Sequence, residues 1–190
     1  MILEGIVTTT NADGGIHIAP MGPRVVPDWS KLTLRPFATS QTFRNLKAHH
    51  DGVLHVTDDV LLLAKAAVGQ ASPQSWAPAA RVAGFVLTNA CRYYEFIVRS
   101  IDDSQERVHI EAEVVHRETL RDFFGLNRGK HAVVEAAILA TRLHLLPAAD
   151  VIAEYRKLRV LVDKTGGPDE HAAFDFLQNH VDRFLAGGAS

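Results

Sequence analysis

Residues 2–23, ILEGIVTTTNADGGIHIAPMGP, and residues 32–46, LTLRPFATSQTFRNL, decide how this chain folds. The first stretch is β-branched over residues 2–10, turns at Asp13-Gly14-Gly15, and becomes extended again over residues 16–20. That order predicts a β-hairpin. The small residues and prolines of Ala19-Pro20-Met21-Gly22-Pro23 then read as a turn. In the second stretch Leu32 and Leu34 alternate with polar neighbours between Lys31 and Arg35, as in a half-buried strand. Ser40 is placed to start a short helix that runs to His49 or His50.

The pattern continues outward from there. Residues 52–56 read as a short buried strand, and Asp58-Asp59 precedes an apolar helix ending near Gly69. Residues 70–80, QASPQSWAPAA, read as a loop; its Trp76 serves either to pin the loop to the core or as part of a lid. Extended chain is expected over 82–87 and 91–100, and the Asp102-Asp103-Ser104-Gln105 turn leads to a strand at 107–116. In that strand Val108, Ile110, Ala112 and Val114 face one way, His109, Glu111 and Glu113 the other. Beyond about residue 118 the period becomes helical. Asn127 is a good N-cap for a helix with an apolar face of Val134, Ile138, Thr141 and Leu145. Pro147 opens a second helix that ends at Lys164-Thr165-Gly166-Gly167, and Pro168 opens a third bearing Phe174, Leu177, Val181 and Phe184. The elements predict a mainly β, α+β protein: an antiparallel barrel over residues 1–120 and a C-terminal helical segment over 121–190, packed as one structural unit.

Composition narrows the function classes. With 190 residues, 47% hydrophobic and 22% charged, the chain is long enough for a well-buried core. The 20 basic and 22 acidic residues leave a formal charge of −2, and no Lys/Arg stripe marks a nucleic-acid reader. The apolar runs are too short to span a bilayer and residues 1–10 lack a secretory signal pattern, so a soluble, cytoplasmic protein without a membrane partner is expected. The single Cys91 excludes an internal disulfide framework and, lying within a strand, reads as a small hydrophobe. No HExxH, G-x-S-x-G, Walker loop or G-x-G-x-x-G occurs, so neither a metal nor a catalytic nucleophile is expected.

What chemistry the residues do suggest is anion binding. Ser40, Thr42 and Asn45 stand at a helix start, where first-turn amides lack intrahelical partners, with Arg35 and Arg44 close in sequence. Simple capping by Ser40 or Thr42 accounts for the same hydroxyls without a ligand. The Ala19–Gly22 segment is small enough for a flat ring to approach its backbone, although a structural turn needs no ring. Asn127-Arg128-Gly129-Lys130 places cations where a helix dipole disfavours them, which suggests a bound anion, a partner carboxylate or a solvated basic turn.

Together, EGIVTTTNADGGIHIAPMGP, LTLRPFATSQTFRNL with VLHVTDD close behind, and FFGLNRGKHAVVEAAILATRL resemble an uncharacterised domain-of-unknown-function family within the flavin-reductase-like FMN-binding split-barrel superfamily. The resemblance spans roughly residues 2–185. It implies a six-stranded antiparallel split β-barrel, usually a homodimer with FMN near the subunit interface. It also implies that Ala19, Pro20, Met21 and Gly22 lie against the isoalloxazine ring, while Arg35, Ser40, Thr42 and Asn45 hold the phosphate and ribityl chain. Asn127, Arg128 and Lys130 match a segment particular to the family, with no role defined. Arg92, Arg128 and Lys130 are the candidates for a cation that would favour the reduced ring at N1 and O2. The implied activity is that of an FMN-dependent oxidoreductase with NADH or NADPH as a possible donor. A non-enzymatic flavin-binding electron carrier is the alternative, and a barrel that binds another small anion is a third.

Overall fold

The computed structural model describes residues 1–72 and 75–187, so Pro73 and Gln74 of the expected 70–80 loop lie outside the described residues. Nine strands and five helices occur among the described residues: β1 (Gly5–Thr10), β2 (Ile16–Met21), β3 (Arg24–Val25), β4 (Lys31–Leu34), α1 (Gln41–His49), β5 (Asp51–Val56), α2 (Val60–Ala67), β6 (Trp76–Pro78), β7 (Phe85–Leu87), β8 (Arg92–Asp102), β9 (His109–Thr119), α3 (Arg128–Ala140), α4 (Ala148–Thr165) and α5 (Pro168–Gly187). They form two compact units: Met1–Thr57 with Ser72–Phe123, and Asp58–Ala71 with the chain from Phe124 onward. The first holds all the strands and α1. The second gathers α2 with α3, α4 and α5, so the apolar helix read from residues 58–69 belongs with the C-terminal helices.

In the sheet unit, seven strands pair antiparallel in the order β2-β1-β5-β8-β9-β4-β3. The resemblance implies six; the two-residue β3 is a short addition at one flank. The sheet curls until that flank meets the lead-in to β1: Ile2 bridges Arg24, Val25 N–H donates to the Met1 carbonyl at 2.9 Å, and Leu3 N–H donates to the Pro23 carbonyl at 3.1 Å. Curling gives the unit an interior, filled by Val7, Leu32, Leu34, Leu54, Phe96 and Ile110 with their neighbours. Each comes from the apolar register of its strand, which is why the alternation of Leu32/Leu34 and of Val108/Ile110/Ala112 is legible as buried against exposed.

Local chemistry sets the hairpins. Gly14 takes φ +82° in the β1–β2 turn, where Asn11 N–H reaches the Gly15 carbonyl at 2.8 Å and Asp13 Oδ1 accepts from Gly15 N–H at 2.9 Å. The segment expected to turn at Ala19-Pro20-Met21 instead continues β2, with Val7 opposite Ala19, Ile6 opposite Pro20 and Gly5 opposite Met21. Proline is tolerated there because β2 is an edge strand with no ladder partner on its outer side. Residues 76–78 and 85–87 pair as a small second sheet, so the described part of the expected loop supplies one strand of a hairpin and the expected extended stretch over 82–87 the other. Its Trp76 packs edge-on against Phe85 at 5.1 Å and is 48% exposed.

The helical unit has its own core of Val133, Val151, Tyr155, Val162, Phe174, Leu177 and Val181. Its α3 buries Gly129, Ala132, Val133, Ala136, Ala137 and Ala140. The expected face of Val134, Ile138, Thr141 and Leu145 is therefore displaced, and Leu145 is exposed. Small residues set this face because α3 approaches its neighbour closely: a Cβ on Gly129 would lie 2.9 Å from Gly166 Cα. On α5, Phe174, Leu177 and Val181 are buried as expected, whereas Phe184 is exposed. No described helix is long and apolar enough to cross a membrane.

Candidate functional site

Helix α1 begins at Ser40, whose hydroxyl accepts from Phe43 N–H at 3.2 Å and donates to the Phe37 carbonyl at 2.7 Å. The capping reading of Ser40 thus holds, and His50 closes the helix in the left-handed conformation. Thr42 and Asn45 face inward, toward the β1–β2 hairpin, and are only 2% and 3% exposed. Thr42 Oγ1 lies 3.1 Å from His17 Nε2. The Asn45 amide is used on three sides: its Nδ2 donates to Thr9 Oγ1 and to Asn11 Oδ1, both at 2.9 Å, and its Oδ1 accepts from Gln41 Nε2 at 2.7 Å. These bonds fix the start of α1 against the hairpin.

Two arginines flank this cluster in different states. Arg44 folds back on its own helix start, donating to the Thr39 carbonyl at 2.7 Å and to Gln41 Oε1 at 2.8 Å. Arg35, at the end of β4, is exposed; its carbonyl accepts from Arg107, and its guanidinium has no partner among the described residues. Burial, reinforced by the Arg44 charge, holds the His17 ring below its ordinary pKa, so it is neutral at pH 7. A neutral ring beside a hydroxyl and a guanidinium is a donor set suited to an anionic oxygen. His17 was not singled out from sequence, because only the β1–β2 pairing carries it to Thr42.

Ala19, Pro20 and Met21 line edge strand β2, Met21 packing on the barrel interior, and Gly22 follows it, exposed. These residues and Arg35, Ser40, Thr42 and Asn45 all belong to the sheet unit. Asn127, Arg128 and Lys130 belong to the helical unit. There Asn127 Oδ1 accepts from Lys130 N–H at 3.0 Å and its Nδ2 donates to the Thr165 carbonyl at 2.9 Å. Lys130 Nζ donates to the Asp58 carbonyl at 2.9 Å and to Glu170 Oε1 at 2.7 Å, while Glu170 Oε2 accepts from Gly167 N–H at 2.8 Å. Burial alone would push the Glu170 carboxyl up; the Lys130 ammonium and the Gly167 amide outweigh it and hold it below its ordinary value. Of the three readings of this segment, a partner carboxylate describes Lys130. Arg128 is exposed.

A second polar set lies on the outer face of the sheet. Fully buried Glu95 accepts from the amides of Ala80 at 2.7 Å, Arg81 at 2.6 Å and Val82 at 3.1 Å. Buried His55 accepts from Leu87 N–H through Nε2 at 2.9 Å and therefore donates from Nδ1 to the Ile6 carbonyl at 3.3 Å. Burial lowers its pKa to about 4. Their partners lie 13 to 15 residues away for Glu95 and 32 to 49 residues away for His55, a separation that no local pattern announces.

A curled antiparallel sheet with a capped helix set into its hairpin, joined in one chain to a four-helix unit, defines an α+β protein with the fold of flavin-reductase-like proteins. The FMN-bound protein of Methanosarcina mazei shares this fold across 94% of both chains, with TM-score 0.83 and 21% identity. The NADH:FAD oxidoreductase of Streptomyces globisporus (TM-score 0.54, 11% identity) matches over 61% of this chain and 69% of its own. An FMN-binding protein of Thermus thermophilus (TM-score 0.52, 9% identity) matches over 62% of this chain and 70% of its own. No curated protein matches the chain. Residues 3–121 match the family described as protein of unknown function (DUF447) N-terminal domain, and residues 127–179 match its C-terminal counterpart, protein of unknown function (DUF447). The chain belongs to the DUF447 family.

Proposed function

We propose that this protein binds FMN in its sheet unit and works as a flavin-dependent oxidoreductase. The observation that carries the reading is the fold shared along almost the whole chain with an FMN-bound member of the same family. The donor set fits a phosphate monoester: the exposed Arg35 guanidinium is unspent, and the Thr42 hydroxyl stands beside a neutral His17. In this reading Arg35, Ser40 and Thr42 hold the phosphate, Asn45 keeps the α1 start in place, and Ala19–Gly22 lie against the ring. Asn127 and Lys130 serve the joints between helices. Bound FMN supplies the hydride and electron chemistry; the protein supplies placement and charge.

A nicotinamide cofactor is the proposed electron donor, the protein is proposed to act as a homodimer, and the cytoplasm is its proposed compartment. Val133 and Ala137 of α3 are buried and so offer no surface to a second subunit. Purified protein should carry the visible flavin band, and anaerobic NADH or NADPH should bleach it. Colourless protein that stays colourless with added FMN rejects flavin binding; a stable band that neither cofactor bleaches favours the electron carrier. Arg35→Ala combined with Thr42→Ala should weaken FMN binding by about 2–4 kcal/mol, the scale of one charge-assisted and one neutral hydrogen bond. Unchanged affinity in a titration removes the phosphate site from this place.

A further inference from the structure

The turn between β3 and β4 holds Trp29 at φ +62°, in the left-handed region that bulky side chains rarely occupy. Around it the turn is well bonded. Trp29 N–H donates to the Val26 carbonyl at 3.1 Å, Asp28 Oδ1 accepts from Ser30 N–H and Oγ, and Val114 N–H donates to the Ser30 carbonyl at 2.9 Å. The strained residue is therefore held deliberately, and what it holds is an indole stacked on Tyr94, with centroids 4.3 Å apart and planes 8° from parallel. Tyr94 is buried, whereas Trp29 is half-buried.

Two arginines meet this stack. The Arg92 guanidinium lies 6.0 Å from the Trp29 ring, and Arg92 precedes Tyr94 by two residues on the same face of β8. Arg117 stands opposite Tyr94 across the β8–β9 ladder and donates to the Asp28 carbonyl at 3.2 Å. Thr119, not a carboxylate, stands opposite Arg92. Arg92 and Arg117 are thus diagonal neighbours on one sheet face, a spacing that long side chains can span. Both are exposed, and neither forms an ion pair among the described residues. Burial raises the Tyr94 pKa and both guanidinium charges oppose that rise, so both act on the same hydroxyl.

We propose that Trp29, Tyr94, Arg92 and Arg117 form a second binding site, which takes a planar conjugated carboxylate. Its flat part packs on the Trp29 indole and its carboxylate lies between the two guanidinium groups, whose positive charge it complements. The planar fork of arginine suits a carboxylate better than a point charge does, and the aromatic stack selects flat ligands. The site uses none of the residues assigned to the phosphate; Arg92 alone is shared with the cations that the resemblance offers to the flavin ring, and the competition with FMN below separates the two.

The two tryptophans give two indole N–H resonances, which makes the test direct. The full-length protein as purified is titrated with benzoate, benzyl alcohol and inorganic phosphate while both resonances are followed. Benzoate should shift the Trp29 signal saturably and leave Trp76 in place, with the other two probes at least about tenfold weaker, as expected when a charge-assisted bidentate contact or a stacking surface is missing. Arg92→Gln with Arg117→Gln, checked for native circular dichroism, should lose at least about tenfold in benzoate affinity. Should that double variant misfold, Arg92→Gln alone, at an exposed position, must show the same direction. No saturable shift, equal binding of benzyl alcohol or of phosphate, or undiminished binding by the variants overturns the proposal. So does FMN if it moves the Trp29 signal and competes with benzoate, because the stack is then the flavin's own.

Discussion

His55 joins three strands through one uncharged ring, accepting at Nε2 from β7 and donating at Nδ1 to β1. Its proton inventory has a direct consequence for stability. In the unfolded chain the ring takes a proton near pH 6.5; in the folded protein, burial delays this to about 4. Between those values the unfolded state binds more protons, so the contribution of His55 is complete above 6.5 and declines as pH falls to about 4. The loss amounts to about 3 kcal/mol at most. Denaturant unfolding across that window should show the decline, and His55→Gln should flatten it; an equal decline in the variant assigns the effect to other groups. Glu95 makes a second prediction at this scale. Its two oxygens accept three amides, so Glu95→Gln turns an N–H₂ toward donors and should cost about 2–4 kcal/mol. Urea midpoints that agree within error between wild type and variant contradict it.

Among the elements, α1 was the most readable, because its signals are local: Ser40 caps it and the chain reverses at His50 within one residue of the expected end. The hairpin of β1 and β2 was equally plain from Asp13-Gly14-Gly15. The α3 face was misread because alanine and glycine carry little weight in an apolar pattern, yet they are what a close helix crossing needs. The tests of that crossing are Gly129→Ala and Lys130→Met. The added methyl would sit 2.9 Å from Gly166 Cα and 3.0 Å from its nitrogen, backbone atoms that cannot swing aside. A loss of about 1–3 kcal/mol is expected from overpacking. Lys130→Met leaves the Glu170 carboxylate, 8% exposed, without its cation and should cost about 3 kcal/mol. Thermal unfolding of the two variants reads both; a Gly129→Ala protein as stable as wild type means the crossing opens freely. The site was legible only in part, for a different reason: its contacts join residues far apart in sequence. Ser40, Thr42 and Asn45 announce a helix start, but His17 reaches Thr42 through the strand pairing, and Asn45 turns out to be used by Thr9, Asn11 and Gln41.

For the whole molecule, ligand binding and folding are linked, and this linkage separates the phosphate from the ring. A ligand that binds only the folded chain at about 100 times its Kd stabilises it by about 2.7 kcal/mol. For a chain of this size that is a rise in Tm of roughly 5–10 °C. Excess FMN should produce such a rise. Riboflavin presents the same ring without the phosphate, so it should produce a clearly smaller one at equal concentration. Arg35→Ala with Thr42→Ala should bring the FMN rise down to the riboflavin value while leaving the riboflavin value itself unchanged, because in the proposed site those side chains serve only the phosphate. If FMN and riboflavin raise Tm equally in the wild type, the α1 start holds no phosphate. Ser40, Thr42 and His17 then serve only to seat a helix on its hairpin, as their observed hydrogen bonds already suffice to do.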